Sequence, residues 1–124
     1  MRMSRFTALG VLALTVVCFA TPRLTLGLPQ GNKVFSGEIM DSQCAAMGSH
    51  QMMKSEGAND AKECTLKCVA MGGRFVLYDS ANKAVYQLDD QEKAKQFAGQ
   101  KVKVSGSFDA APKSIHVQNV EAAP

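Results

Sequence analysis

The sequence predicts one small, mainly β domain with a few short helices (a small α+β fold), and three observations support this prediction. Short runs alternate apolar and polar residues as half-buried strands do, for example KVKVSGSF at 101–108. Glycine, asparagine and proline separate these runs, as is typical of tight turns. The chain has 124 residues, which is long enough for one domain once an N-terminal leader is set aside.

The first 27 residues have the features of a secretory signal peptide. Arg2 and Arg5 form a short positive region, and a nearly unbroken apolar run follows at 6–20. The run is short for a membrane span, and small residues after it suit cleavage after Ala20 or Gly27. We therefore expect a periplasmic or secreted protein with no stable membrane association after cleavage; a retained N-terminal anchor is the alternative.

The charge of the expected mature domain, residues 28–124, argues against nucleic-acid binding. The whole chain has 14 basic and 11 acidic residues. Three of the basic residues, Arg2, Arg5 and Arg23, lie in the leader, which leaves 11 of each sign. A neutral domain lacks the basic surface that binding to a phosphate backbone requires. The partner is therefore expected to be a protein or a small ligand.

The mature part predicts five strands and two helices. The strands are expected at 33–40, 74–79, 84–88, 101–108 and 114–120, and the helices at 60–71 and 90–98. Five short strands with a helix between the third and fourth is the element order of an OB-fold. The sequence therefore predicts a five-stranded OB-like barrel, with a cysteine-bearing helical insertion between strands 1 and 2 and a short helix between strands 3 and 4.

Local signals mark the ends and irregularities of these elements. Asp60 and Glu63 have the spacing of a capping box at the start of the first helix. Gly37 is expected to mark a bulge or bend in the first strand. The apolar phase slips between Val117 and Val120, which predicts a bulge near Gln118 in the last strand.

A sulfur-rich stretch, residues 40–73, contains the three cysteines expected in the mature chain. In a helix, Cys64 and Cys68 lie one turn apart on the same face and form a two-ligand clamp. Thiolate, imidazole and thioether ligands suit zinc or copper. The candidate metal ligands are Cys44, His50, Cys64 and Cys68, with Met52 and Met53 as alternatives.

A disulfide is the competing interpretation of the same cysteines, because exported cysteines are often oxidised. A bridge between Cys64 and Cys68 would distort the helix, whereas Cys44 can reach either of them. Such a bridge closes a loop of about 20 residues and adds roughly 3 kcal/mol of stability. It leaves one thiol unpaired. In this case the domain is a disulfide-stapled interaction module that binds carbohydrate or peptide on the barrel face.

The sequence predicts a binding module rather than an enzyme. It contains no Cys-x-x-Cys redox pair, no phosphate-cradling glycine loop and no nucleophile elbow. Aspartates and glutamates lie mostly at strand ends and helix caps, and no pair of them has the pattern of a general acid and base. Four aromatic residues on the strands are candidates for a stacking surface, although core packing is their more usual role: Phe35, Phe75, Tyr78 and Tyr86.

Several segments together resemble a family of small exported bacterial proteins of unknown function that has an OB-like domain. The resemblance covers residues 33–121 and is carried by Asp41-Ser42-x-Cys44, by Cys64-x-x-x-Cys68-Val69 and by the Val-Leu-Tyr strand. It implies export and the barrel fold, and it implies no established activity.

Overall fold

The structure is a computed structural model that describes residues 30–51 and 57–124. The predicted leader and both cleavage points lie outside these residues. The strands are β1 (Gln30–Asp41), β2 (Phe75–Asp79), β3 (Ala84–Leu88), β4 (Lys101–Asp109) and β5 (Ser114–Ala122). The helices are α1 (Ser42–Met47), α2 (Ala61–Ala70) and α3 (Gln91–Lys95). Within the described residues, no helix has the length and apolar character needed to cross a bilayer.

The five strands close into a barrel in the order β1-β2-β3-β5-β4. Strand β1 pairs antiparallel with both β2 and β4, and β3 closes the barrel by a short parallel pairing with β5. Helices α1 and α2 lie between β1 and β2 along the chain, and α3 lies between β3 and β4. The predicted OB-like barrel with its helical insertion is therefore confirmed.

The end of β1 and the start of β2 are buried on both faces. Successive strand residues point to opposite sides, so Ile39 enters the barrel core while Met40 points outward. The inner core consists of apolar residues from every strand and from the α3 region: Ile39, Phe75, Leu77, Leu88, Ala94, Ala98, Val102, Val104, Ile115 and Val120. A second, outer core lies under α1 and α2: Met40, Cys44, Ala45, Cys64, Cys68 and Val76.

Helix α1 was not predicted, since residues 41–59 are polar, small and interrupted by glycine. Asp41 starts this helix by accepting hydrogen bonds from the backbone N–H groups of Gln43 and Cys44. Gly48 ends it in the left-handed conformation, with φ of 69°. Six residues are too few for a helix that is stable on its own, so α1 depends on the caps at both of its ends.

The two predicted strand irregularities have different outcomes. In the β4–β5 pairing, Ser105 faces Asn119 and Gly106 faces Val117, so Gln118 is the extra residue of a bulge, as predicted. The pairing of β1 is unbroken at Gly37, where the predicted bulge is absent. A Cβ atom at Gly37 would lie 2.4 Å from the carbonyl oxygen of Tyr78, so close backbone approach explains the glycine.

Candidate metal centre

Four buried side chains meet between the end of β1, α1 and α2. They are Asp41, Cys44, Cys64 and Cys68, and one potential ligand atom from each lies within 4.8 Å of the others. All four residues are at most 1% exposed. We call this group the Asp/Cys cluster. Within residues 30–51 and 57–124, no other group of three or more histidine, cysteine or acidic side chains has this arrangement.

Asp41 supplies the only charged group of the cluster. Its Oδ1 atom accepts from the N–H groups of Gln43 at 2.9 Å and Cys44 at 3.2 Å, which caps α1. Its Oδ2 atom is buried and has no hydrogen-bond partner. A buried carboxylate oxygen without a partner is costly unless a cation or donor reaches it. The second oxygen of Asp41 is therefore available to a metal ion.

Helix α2 presents two of the three thiols. The side chain of Asp60 accepts from the N–H of Glu63 at 2.7 Å, and Glu63 in turn accepts from the N–H of Asn59 at 2.9 Å. This reciprocal capping fixes the start of the helix, although the N–H that Glu63 binds is one residue before the cap. Cys64 and Cys68 follow on the buried face, one turn apart.

The sulfur geometry is that of free thiols at metal-ligand spacing. The Sγ atoms of Cys44 and Cys64 are 3.9 Å apart, and all three cysteines are free. A disulfide needs an S–S distance of about 2.05 Å. Two thiolates on one tetrahedral zinc ion, each with a Zn–S bond of about 2.3 Å, are about 3.8 Å apart. The observed spacing is that of a hydrogen bond between two thiols, and it is close to the second arrangement.

Burial and the Asp41 charge keep the thiols of Cys44 and Cys68 protonated when no cation is near. Burial raises the pKa of Cys44 far above its ordinary value of 9.0, and the neighbouring Asp41 and Cys64 raise it further. The pKa of Cys68 is also raised, first by burial and then by the charge of Asp41. A bound divalent cation would reverse this effect, because it stabilises thiolates beside the carboxylate.

The structure places the predicted ligands differently. It brings together Cys44, Cys64 and Cys68, as the metal prediction requires. His50 lies outside the cluster, because its Nε2 atom is 2.6 Å from the Oε1 atom of Glu38. Asp41 occupies the fourth position that was assigned to His50. Met52 and Met53 lie outside the described residues.

Sequence reasoning assigned Asp41 to a strand end or helix cap and did not place it near the cysteines. The available signal was its spacing to Cys44, since a capping aspartate points at the residues two and three positions later. A cysteine at the third position therefore brings a thiol close to the capping carboxylate.

The aromatic residues mainly pack in the barrel core. Phe75 is 5% exposed. The rings of Phe35, Tyr86 and Phe108 contact one another with centroid separations of 5.1 to 5.8 Å and pack against the inner core. These contacts are typical of core packing between tilted rings.

Comparison of the chain with protein-family models, with curated proteins and with solved structures finds no match. The candidate centre is therefore argued from its own chemistry, and the resemblance described above stays a prediction.

Proposed function

We propose that the mature protein is an exported metal-binding barrel module in which Asp41, Cys44, Cys64 and Cys68 bind one zinc ion. The observation that supports this most is the convergence of one Asp41 carboxylate oxygen with three buried thiols within 4.8 Å; within the described residues, the buried Oδ2 atom of Asp41 has no hydrogen-bond partner. A tetrahedral zinc ion satisfies all four groups at once, because it takes sulfur and carboxylate ligands together.

The donor set favours zinc over copper. Cu(I) prefers soft sulfur ligands, whereas the carboxylate of Asp41 is a hard ligand that zinc accepts. Zinc also carries one more positive charge than Cu(I), so it leaves less net negative charge in a buried site whose ligands are three thiolates and a carboxylate. Copper is the second candidate, bound by the three thiolates alone.

The closed geometry supports a structural role for the ion. Catalytic zinc sites keep one coordination position open to water or substrate, whereas structural sites use four protein ligands. All four residues here are buried. The ion would tie α1 and α2 to the end of β1, and this is useful in a small domain with a limited core. The module would then present the rest of its surface for binding, without catalysis.

Titration of the metal-free, reduced mature protein with Co²⁺ tests the proposal, because cobalt reports thiolate ligation in its visible and near-ultraviolet spectrum. We expect one Co²⁺ per chain, a tetrahedral spectrum with thiolate-to-cobalt bands, and displacement by stoichiometric Zn²⁺. Cys64→Ser and Cys68→Ser should each abolish tight binding. His50→Gln is the matched control and should bind normally, since His50 contacts Glu38 instead.

Three outcomes would count against zinc. A featureless spectrum from the wild-type protein would reject the site even if the cysteine variants failed to fold. Loss of binding in His50→Gln would restore histidine as a ligand. Binding of Cu(I) alone, unaffected by Asp41→Asn, would favour copper.

The disulfide remains the competing candidate, and the 3.9 Å separation of Cys44 and Cys64 identifies the pair that it would join. Counting thiols in unfolded, unreduced, metal-free protein separates the two. Three reactive thiols are expected if the cysteines serve as ligands, and one if Cys44 and Cys64 are bridged.

A further inference from the structure

A cavity of about 370 Å³ lies on the outer face of the barrel, next to the Asp/Cys cluster. Its floor comes from β1, β2 and β4, and Gly48, Ser49 and His50 of the segment after α1 line its other side. Pockets of this size accept small organic molecules. This cavity is separate from the proposed metal ligands, and the inference below does not depend on the metal.

Opposite charges lie side by side on the cavity floor. Glu38 on β1 pairs directly with Tyr78 on β2 and with Lys101 on β4. Directly paired residues of antiparallel strands present their side chains on the same face, about 5 Å apart. All three residues line the cavity. The floor therefore holds a carboxylate, a phenol hydroxyl and an ammonium group in one row.

These groups retain capacity to bind a ligand. Glu38 uses its Oε1 atom to contact His50, while its other oxygen makes no hydrogen bond within residues 30–51 and 57–124. The ammonium group of Lys101 forms no ion pair within the same residues. The contact with His50 holds the Glu38 carboxylate in place, since the two side chains are 25% and 14% exposed. The site thus offers a positioned anion beside an unpaired cation.

The remaining walls are largely apolar and include Met40, Ala81 and Ala123. Gly48 leaves room for the Tyr78 hydroxyl, because a Cβ atom at that position would lie 2.7 Å from it. A ligand that complements this cavity carries an ammonium group, a carboxylate and a compact apolar group.

We propose that this cavity binds a free α-amino acid with an apolar side chain. Its ammonium group would contact Glu38 and its carboxylate would contact Lys101. Its side chain would lie against Met40 and Ala81. If the ligand lacks one of these two charged groups, Glu38 or Lys101 has no counterpart, and binding is weaker by roughly tenfold or more.

Calorimetric titration of the full mature protein with three probes of one carbon skeleton tests the proposal. L-Leucine carries both charges, 3-methylbutylamine lacks the carboxylate, and 4-methylpentanoate lacks the ammonium group. We expect leucine to bind at least about tenfold more tightly than either analogue. In Lys101→Met, leucine should bind no more tightly than 3-methylbutylamine. In Glu38→Gln, leucine should bind no more tightly than 4-methylpentanoate.

Lys103→Met is the matched control, because Lys103 is an exposed lysine of the same strand that does not line the cavity. It should leave all three affinities unchanged. The proposal is overturned if leucine does not bind at millimolar concentration, if the analogues bind as well as leucine, or if Lys103→Met acts like Lys101→Met. Lys101 is exposed, so its variant is expected to fold even if Glu38→Gln does not.

Discussion

Two helices of this domain start in the same way and end up in opposite electrostatic surroundings. Asp41 caps α1 directly after β1, and Asp90 caps α3 shortly after β3. At the start of α3, the carboxylates of Asp89 and Asp90 both meet donors. Asp90 accepts from the N–H of Lys93 at 2.9 Å and pairs with its ammonium at 3.1 Å. The preceding Asp89 accepts from the N–H of Val117 at 2.8 Å and contacts His116 at 3.1 Å.

Around Asp41, backbone N–H groups serve Oδ1 only, and the carboxylate lies among buried thiols. The consequences have opposite signs. Hydrogen bonds at the α3 start lower the pKa of Asp89 and Asp90, whereas burial and the charge of Asp41 raise the pKa of Cys44 and Cys68. A cap surrounded by donors is complete in the protein alone, and a buried cap beside thiols could hold a cation. The predictions below test this contrast.

The largest expected effect is that of metal removal. If zinc completes the α1 start, wild-type protein should lose about 4 kcal/mol of unfolding free energy when zinc at about 1,000 times its dissociation constant is removed by a chelator. Urea denaturation with and without chelator measures this. Cys64→Ser is the control and should show no zinc-dependent difference. Equal stability of wild-type protein in both conditions would contradict a structural metal.

The next effect separates the two caps. Asparagine caps helices as well as aspartate does, so Asp41→Asn should keep α1 while losing the carboxylate ligand. Loss of a residue that only hydrogen-bonds to a metal ligand already lowers metal affinity ten- to a hundredfold. Because Asp41 is a proposed ligand itself, we expect Asp41→Asn to lower zinc affinity by more than about a hundredfold. Competition with a chromophoric chelator measures the affinity. Asp90→Asn should leave it unchanged; similar losses in both variants would mean that Asp41 acts only through the helix.

Alkaline pH should destabilise the metal-free protein at the α1 start. The folded-state pKa of Cys44 lies above its ordinary value of 9.0, so the unfolded chain releases this proton first as pH rises. Stability is retained below that value and falls above it by about 1.4 kcal/mol per pH unit for one such thiol. Urea denaturation between pH 8 and 10 measures the slope. Cys44→Ala should reduce the slope of unfolding free energy against pH. An unchanged slope in this variant would show that Cys44 is not the group responsible.

The smallest effect is expected at acid pH, at the α3 start. Burial opposes ionisation of Asp89, but hydrogen bonds from Val117 and His116 leave its pKa below the ordinary 3.8. This contribution is present above pH 3.8 and is lost as pH falls through the folded-state pKa. Thermal denaturation from pH 5 to pH 2 should show a modest decline that is smaller in Asp89→Asn. An identical decline in that variant would show that other carboxyls are responsible.

The barrel could be predicted because its signals are local. The alternation in β4, the Asp60–Glu63 capping pair and the bulge at Gln118 each depend on residues close in the chain. Gly37 shows the limit, since its role depends on Tyr78 of another strand. Helix α1 was missed because the segment is only six residues long and is followed by Gly48, and its caps become decisive only once the chain leaves β1 in the right direction.

By itself the sequence determined the strand order, the pair of cysteines on one helix face and the prediction that Cys44 joins them. The tertiary structure alone decided the fourth member of the cluster. Asp41 lies three residues before Cys44 and His50 lies six residues after it, but the outer row of β1 places Glu38 where it binds His50. Strand alternation alone would turn Asp41 to the same side as Ile39, and the start of α1 directs it to the thiols of the outer core instead. Side-chain direction decides which polar group reaches the thiols, and it is set by the point at which β1 ends and α1 begins.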